Sequence, residues 1–338
     1  MTIKEAISSL IAGKNLSENE MSSVIGEIMR GRAAEAQMAA FLTALRLKGE
    51  TVEEIAGAAR VLRKYAVKVR VRGDSIDTCG TGGSGKNIFN VSTASAIILA
   101  ALGVRVVKHG NRAVSGSCGS ADVLEELGVN IGLMPSEFEK AVKDTGIGFL
   151  FAPLYHSSMK HVAKTRRDVG IRTIFNLLGP LANPAKPSCQ ILGVYAKDLL
   201  LPFAKVLRKL GTKRAFVVHG QDGLDEITVT GPTYVAELSS GRIRRFSVSP
   251  EDFGVARYAL GSLKGGGVKD NARIILNILK GKRSPKFYMT MINVSAALVL
   301  LKKAKSFKEG VRMAAEAVDA GLGMEKLDAF KKASRVGK

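Results

Sequence analysis

The chain has 338 residues, 46% of them hydrophobic and 24% charged, which is the composition of a globular protein and excludes a disordered one. Lys and Arg number 51 against 30 Asp and Glu, so the net charge of +21 allows nucleic acid, an anionic membrane surface or anionic small substrates as partners. Aromatic residues make up only 6% and Trp is absent, so there is little support for stacking on nucleic-acid bases. The charge by itself is most simply explained by a basic surface in contact with solvent.

The three cysteines, at positions 79, 118 and 189, have no CxxC spacing and therefore predict neither a disulfide framework nor a zinc site. The N-terminal segment has the pattern of an amphipathic helix rather than of a signal peptide, and the apolar run 296–301 is too short to span a bilayer. We expect a cytoplasmic protein with no membrane partner.

Residues 1 to about 70 predict helices only. Three capping boxes precede apolar-periodic segments, formed by Thr2 with Glu5, Ser17 with Glu20, and Thr51 with Glu54. Alternation at 67–71 then leads to Arg72-Gly73-Asp74, where we place a domain boundary. The expected units are a helical domain of residues 1–72, whose spare apolar face is a candidate dimer interface, and a second domain of residues 73–338.

From Ser75 onward strand-like and helix-like segments alternate, which predicts the α/β class. Strands are expected at 76–79, 104–107, 148–151, 190–194 and 214–219, with antiparallel strands within 227–247. Helices are expected at 93–102, 120–127, 135–145 (with a capping box of Ser136 and Glu139), 157–168, 199–210, 271–280, 290–303, 307–320 and 324–334.

The stretch from Asp77 to Ser120 contains two turns rich in Gly, Ser and Asn, each after a strand and before a helix. Glycines let backbone N–H groups approach a phosphate, and a helix N-terminus adds unpaired donors. Asn90-Val91-Ser92-Thr93 opens the first helix, Lys108-His109-Gly110-Asn111-Arg112 follows the second strand, and a loop containing Ser115 and Gly116 precedes Ser120. Two such turns favour an anion site over solvated turns and predict a phosphorylated sugar, with a diphosphate, as the ligand.

Two other interpretations of Gly80–Gly85 are weaker. The loop satisfies G-x-G-x-x-G, but a dinucleotide fold expects an acidic residue about 20 residues further on, where this chain has Lys108 and His109. A P-loop would need Ser or Thr after Lys86, and Asn87 stands there, so an NTPase remains a minor alternative.

Other side chains add candidate chemistry. The adjacent carboxylates Asp225 and Glu226 are hard oxygen ligands suited to Mg²⁺ on a diphosphate. His156 is a candidate base, aromatic contact or structural residue. The arginines at 166, 167 and 172 flank an apolar segment, so they suit a substrate that combines a carboxylate with a ring. Covalent catalysis has little support, because no Cys–His pair or nucleophile elbow is present.

Over nearly its whole length the chain resembles the anthranilate phosphoribosyltransferase family, through the motifs GTGGSG, FNVSTA, KHGNRAVSG, GSADVLEELG, GIRTIFNLLGPLANPA and DGLDEIT in this order. The resemblance implies a small helical domain plus a large α/β domain with a central mixed sheet flanked by helices, assembled as a homodimer. It also implies transfer of a phosphoribosyl group from phosphoribosyl diphosphate (PRPP) to anthranilate, with Mg²⁺, in tryptophan biosynthesis.

The resemblance implies the following roles by position. Lys108 and His109 would be catalytic. PRPP would contact Gly80, Gly82, Gly83, Ser84, Asn90, Val91, Ser92, Thr93, Lys108, Gly110, Asn111, Arg112, Ser115, Gly116 and Ser120. Anthranilate would contact Gly80, Asn111, His156 and Arg166, and the metal would be held by Ser92, Asp225 and Glu226. The chain departs from the family pattern with Ser84 in place of Asp, Ile88 in place of Thr or Ser, and Ser157 in place of a common Pro.

Two rival functions share the implied fold. A pyrimidine nucleoside phosphorylase should not carry KHGNR together with GIRTIFNLLGPL. A nucleic-acid-binding paralogue would explain the charge of +21, but it should have lost Arg166 and Asn111, and both are present.

Overall fold

The computed structural model describes residues 1–83, 85–113 and 118–335. Its N-terminal unit is a bundle of four helices: α1 (Ile3–Ile11), α2 (Glu18–Met29), α3 (Glu35–Lys48) and α4 (Val52–Tyr65). The predicted capping boxes of α1, α2 and α4 are confirmed, since each cap hydroxyl accepts from the third helical N–H and each Glu accepts from the cap N–H. These local bonds satisfy donors that a helix start leaves open.

The alternating segment 67–71, which marks the predicted boundary, forms no strand and connects the two units. The Val67 N–H donates to the carbonyl of Tyr155, and the Arg70 N–H donates to a carboxylate oxygen of Glu139 at 2.7 Å. These two backbone donors of the connection are thus satisfied by a carbonyl at the end of a short helix and by a side chain instead of a neighbouring strand.

A seven-stranded sheet forms the centre of the second unit, with the spatial order β3-β2-β1-β4-β5-β6-β7. Its strands are β1 (Ile76–Gly80), β2 (Val106–Gly110), β3 (Ile147–Phe151), β4 (Cys189–Gly193), β5 (Arg214–Gly220), β6 (Thr233–Ser239) and β7 (Arg242–Val248). The first five in space are parallel, and β6 and β7 are antiparallel additions, so the predicted mixed sheet is confirmed. The antiparallel pair starts at Thr233 rather than at 227, because 227–232 forms a turn.

The remaining helices cover the sheet: α5 (Val91–Ala101), α6 (Ser120–Glu126), α7 (Pro135–Thr145), α8 (Ala152–Tyr155), α9 (Lys160–Val169), α10 (Phe175–Leu178), α11 (Leu200–Lys209), α12 (Val268–Leu279), α13 (Pro285–Leu300), α14 (Phe307–Asp319) and α15 (Leu322–Arg335). Two expectations here are wrong. The predicted capping box of Ser136 with Glu139 does not form. Pro135 occupies the first helical position of α7, so Met134 is the cap residue and Glu137 accepts from its N–H at 2.8 Å. Residues 157–168 are divided between a 3₁₀ turn, Ser157–Met159, and α9.

Successive residues of the strands face two different cores. Ile191 and Phe216 pack into a core with α5 and α12 to α15, whereas Leu192 and Val217 pack into a core that includes the four N-terminal helices. The helical bundle therefore shares its core with one face of the sheet. No helix among the described residues is both long and apolar enough to cross a membrane.

Candidate active site

The carboxyl ends of the parallel strands define the site, as expected for an open α/β sheet. Gly80 at the end of β1 pairs in register with Gly193 at the end of β4. Both must be glycine because Asp225 lies against them: a Cβ on Gly193 would stand 1.7 Å from the Asp225 carbonyl oxygen, and one on Gly80 would stand 2.5 Å from its Oδ2. The Gly82 N–H donates to the same Oδ2 at 2.8 Å, so Asp225 is fixed between the glycine loop and the sheet.

The turn that carries Asp225 and Glu226 is held from both sides. Asp222 accepts hydrogen bonds from the hydroxyls of Thr228 and Thr230, each at 2.6 Å. Asn293 of α13 clamps the next residue, because its Oδ1 accepts from the Ile227 N–H and its Nδ2 donates to the Ile227 carbonyl. The sequence analysis gave no role to Asp222, although it is the first residue of the DGLDEIT motif, and had no signal for Asn293.

Lys108 of β2 is buried under the first turn of α5. Its Nζ donates to the carbonyl of Thr78 at 2.5 Å and to Oγ of Ser92 at 3.0 Å. The Thr78 hydroxyl donates to the Ser92 carbonyl at 2.9 Å, which ties β1 to the same turn. Burial lowers the pKa of Lys108, while the charges of Asp77 and Glu226 act in the opposite direction. The predicted pairing of a fixed cation with a helix N-terminus is therefore present.

Glu226 completes this group, since its carboxylate lies next to the Ser92 backbone N–H. Burial, together with the neighbouring charge of Asp225, raises the pKa of Glu226 to about 8. A pair of close carboxylates favours either a proton or a cation between them. With the Ser92 hydroxyl they form a set of hard oxygen donors, and that set fits Mg²⁺. No cluster of three or more His, Cys, Asp or Glu suited to a metal occurs in the described ranges.

His109 and His156 form a second, uncharged group. Their rings meet edge to face with centroids 5.1 Å apart. Burial lowers the pKa of His109 to about 3 and that of His156 to about 4, so both rings are neutral at pH 7. The His109 Nδ1–H donates to the Gly179 carbonyl at 3.3 Å, which leaves Nε2 as an acceptor. Across the described chain, His109 Nε2 has no partner, and neither His156 nitrogen makes a well-formed bond, although the Ala182 backbone lies near the His156 ring.

Asp77 and Asn183, which the sequence analysis did not single out, hold His109 in place. The fully buried Asp77 carboxylate accepts from the His109 N–H at 3.5 Å and from Asn183 Nδ2 at 2.9 Å. Asn183 also donates to the Val107 carbonyl at 2.8 Å. Burial raises the pKa of Asp77 to about 6, against the opposing charge of Lys108. This network links β1, β2 and the segment that follows Pro180.

Arg166, near the end of α9, is half-buried, and its guanidinium carbon lies 5.5 Å from the centre of the Phe175 ring. Burial lowers its pKa. In the part of the chain that the structure describes, no carboxylate pairs with Arg166. Such a cation next to an aromatic ring suits a ligand with a carboxylate and an apolar body. Arg167 beside it is exposed.

The other predicted ligand contacts lie along the same edge. Asn90, Val91 and Thr93 belong to the start of α5, where Asn90 Oδ1 and Thr93 Oγ1 are buried without a partner among the described residues. Gly110, Asn111 and Ser120 meet where β2 gives way to α6, with the Ser120 hydroxyl donating to the Asn111 carbonyl at 3.4 Å. The remaining predicted contacts, Ser84, Ser115 and Gly116, fall outside the described residues.

Arg112 does not have a free guanidinium in this structure. It donates to Asp122 at 2.9 Å and to Glu125 at 2.8 Å, and these partners raise its pKa. Its predicted contact with PRPP would require these ion pairs to be exchanged for phosphate oxygens.

The family models match both units of the chain. The helical bundle domain of the glycosyl transferase family matches residues 4–66, and the a/b domain of the same family matches residues 72–324. These two matches, together with the fold, define a member of the glycosyl transferase family.

Individual relatives narrow the assignment. The chain is 51% identical to the anthranilate phosphoribosyltransferase of Citrifermentans bemidjiense over 96% of this chain and 97% of the relative. Among solved structures, anthranilate phosphoribosyltransferase from Thermus thermophilus is 40% identical with a TM-score of 0.93, covering 98% of this chain and 99% of that one. The enzyme from Saccharomyces cerevisiae in complex with PRPP and Mg is 30% identical with a TM-score of 0.91, covering 98% and 97%. The chain belongs to the anthranilate phosphoribosyltransferase family.

The yeast enzyme is also known in complex with 4-fluoroanthranilate, in a structure with 29% identity and a TM-score of 0.88 that covers 98% of this chain and 97% of that one. These relatives support the transferase interpretation, and they support neither the nucleoside phosphorylase nor the nucleic-acid-binding alternative.

Proposed function

We propose that this protein transfers the phosphoribosyl group of PRPP to the amino group of anthranilate, with release of diphosphate, as a step of tryptophan biosynthesis. The observation that carries the proposal is the buried Lys108 under the Ser92 turn, beside the adjacent carboxylates Asp225 and Glu226. A buried cation and two adjacent carboxylates near the same strand ends suit a diphosphate leaving group that carries Mg²⁺.

Breaking the bond between C1 of ribose and the diphosphate oxygen builds positive charge on the ring and negative charge on the leaving group. Lys108 would stabilise that negative charge without reorganising, because the bonds to Thr78 and Ser92 already fix the ammonium group. Asp225, Glu226 and Ser92 would hold Mg²⁺. When bound, the ion neutralises charge on the diphosphate.

Anthranilate needs positioning more than activation, since its amino group is already a nucleophile. Arg166 would bind the carboxylate, and the neutral His156 would contact the ring. His109 Nε2 would accept a hydrogen bond from the amino group, because Nδ1 is occupied by the Gly179 carbonyl. Neither histidine is expected to act as a strong base, because burial holds both pKa values at about 4 or below.

The reaction is tested by the loss of anthranilate fluorescence in the presence of PRPP and Mg²⁺, with uracil or thymidine phosphorolysis and salt-dependent DNA retention measured alongside. Consumption of anthranilate that requires both PRPP and Mg²⁺ supports the proposal. Phosphorolysis or DNA retention without this activity would contradict it.

Arg166→Ala is expected to raise KM for anthranilate by about 10- to 100-fold, with a smaller effect on kcat, because it removes a charge-assisted bond made in both the ground and transition states. Steady-state kinetics with each substrate varied in turn measures the effect. Arg167→Ala removes the same charge from the exposed neighbouring position and should change KM less. An unchanged KM in Arg166→Ala would remove this residue from the anthranilate site.

We further propose a homodimer, a cytoplasmic location and a domain boundary between residues 72 and 73. The boundary is supported by the end of α4 at Tyr65 and the start of β1 at Ile76. The dimer is supported by Ile11 and Leu47 of the helical bundle, which are 74% and 83% exposed, and sedimentation equilibrium measures it. The three cysteines are free thiols, which suits a reducing compartment.

A further inference from the structure

Arg172 is one of the three arginines that the sequence suggested for a substrate carboxylate, but in the structure it contacts the glycine loop. One guanidinium nitrogen donates to the Gly83 carbonyl at 2.5 Å. The guanidinium carbon lies 4.7 Å from the centre of the Tyr195 ring, which is the distance of a cation–π contact. No carboxylate pairs with Arg172 within residues 1–83, 85–113 and 118–335. Its contacts are thus one carbonyl oxygen of the loop and one aromatic ring.

Tyr195 contributes a second tie to the same loop. Its backbone N–H donates to the Thr81 hydroxyl at 3.1 Å, and the Thr81 N–H in turn donates to the Gly193 carbonyl at 2.9 Å. The Gly82 N–H is bonded to Asp225. Each residue from Thr81 to Gly83 is therefore held by a different part of the fold, and Arg172 holds the last of the three.

Gly83 needs this support more than its neighbours do. Its φ of +79° lies in the left-handed region, which glycine adopts readily but does not prefer strongly, so the backbone there is not fixed by its own conformational preference. A loop that binds an anion through N–H groups also exposes carbonyl oxygens that would repel a phosphate. Arg172 covers one of these oxygens and adds a positive charge at the same place.

We propose that Arg172, stacked on Tyr195, is a positioning residue that holds the glycine loop in the conformation that receives the diphosphate of PRPP. The inference rests on the proposed function, and it assigns to Arg172 a role through Gly83 without contact to either substrate. Preorganisation of this kind lowers the cost of ordering the loop when the ligand binds.

The test compares Arg172→Ala, Tyr195→Ala and the double variant by steady-state kinetics with each substrate varied, and by calorimetric titration with PRPP and Mg²⁺. Arg172→Ala is expected to raise KM for PRPP by about tenfold, with KM for anthranilate changed by less than about twofold, because Gly83, which Arg172 holds, is assigned to PRPP alone. The double variant should be no worse than Arg172→Ala, since the two side chains act as one unit. Arg172→Lys retains a charge that reaches the carbonyl but cannot stack as a plane, so it should restore part of the loss.

Two controls separate positioning from general effects. Arg245→Ala removes one positive charge from an exposed position on β7 and should leave both KM values unchanged. Tyr195→Phe keeps the ring under Arg172 and should behave as the wild type. Thermal unfolding midpoints establish that each variant is folded, and Tyr195→Ala provides a second route to the same loss if Arg172→Ala does not fold.

Strictly additive effects in the double variant, or an Arg172→Ala enzyme with an unchanged KM for PRPP, would overturn the inference and leave the proposed function intact. An equal rise in KM for both substrates would also overturn it, because that is the behaviour of a general structural defect. A wild-type protein that does not transfer the phosphoribosyl group would overturn both.

Discussion

Replacing Asp225 with Asn and Glu226 with Gln together should lower kcat/KM by on the order of 10³-fold, because it removes both carboxylates that would hold Mg²⁺ on the diphosphate. The amide side chains have nearly the same shape, and an amide oxygen can still accept the Gly82 N–H that Asp225 accepts now. The expected loss of activity therefore comes from the missing negative charges, while the turn that carries these residues keeps its structure.

Although its activity falls, this double variant should be at least as stable as the wild type at alkaline pH. The pKa of Glu226 is raised to about 8, so its stabilising contribution is present below its unfolded pKa and is lost as the pH rises through 8. An uncharged side chain has no such loss. Without added metal, the thermal unfolding midpoint of the double variant at a pH of about 8 to 9 should therefore equal or exceed that of the wild type. A double variant that is stable but inactive would show that the carboxylates are needed for catalysis and not for folding.

The matched control is a second adjacent acidic pair, Glu251 and Asp252, which is exposed after β7. Glu251→Gln with Asp252→Asn makes the same chemical change away from the strand ends and should keep nearly full activity. Full activity in the Asp225 and Glu226 variant would show that these carboxylates are not the metal site.

Lys108→Met is expected to lower kcat by about 10²- to 10³-fold, which is the cost of losing one fixed electrostatic donor in the transition state. Methionine fills a similar volume, so the packing under α5 is largely kept. The variant should also lose some stability at pH 7, because the buried Asp77 loses the opposing charge of Lys108.

Lys108→Arg serves as the control that keeps the charge. A guanidinium is too large for the space between Thr78 and Ser92, so we expect activity between that of the wild type and that of Lys108→Met. Single-turnover measurements with saturating PRPP isolate the chemical step. If Lys108→Met turned over as fast as the wild type, the ammonium group would have a purely structural role.

Much of the local structure could be predicted from neighbouring residues. The capping boxes of α1, α2 and α4 form because a hydroxyl and a carboxylate three residues apart satisfy donors within one turn. The same rule failed for Ser136 with Glu139, because Pro135 starts the helix before Ser136 can cap it. The alternation at 67–71 gives no strand, since a strand needs a neighbour and none pairs with this segment.

The glycine and carboxylate motifs could be identified in the sequence, but the sequence did not show that they are in contact. Asp225 reaches Gly82 across 143 positions, and Asn183 reaches Asp77 across 106. Such pairs depend on which strands lie side by side, and no local pattern specifies that β4 inserts next to β1.

The α/β class, the helical N-terminal unit, the loops that follow β1 and β2, and the charged residues in those loops all followed from the linear order of residues. The burial of Glu226 beside Lys108, the pairing of Arg112 with Asp122 and Glu125, and the cover of the Gly83 carbonyl by Arg172 became visible only in three dimensions. The difference is one of range: capping and turn preferences act within a few residues, whereas burial and pairing of charges depend on contacts that exist only once the sheet has formed.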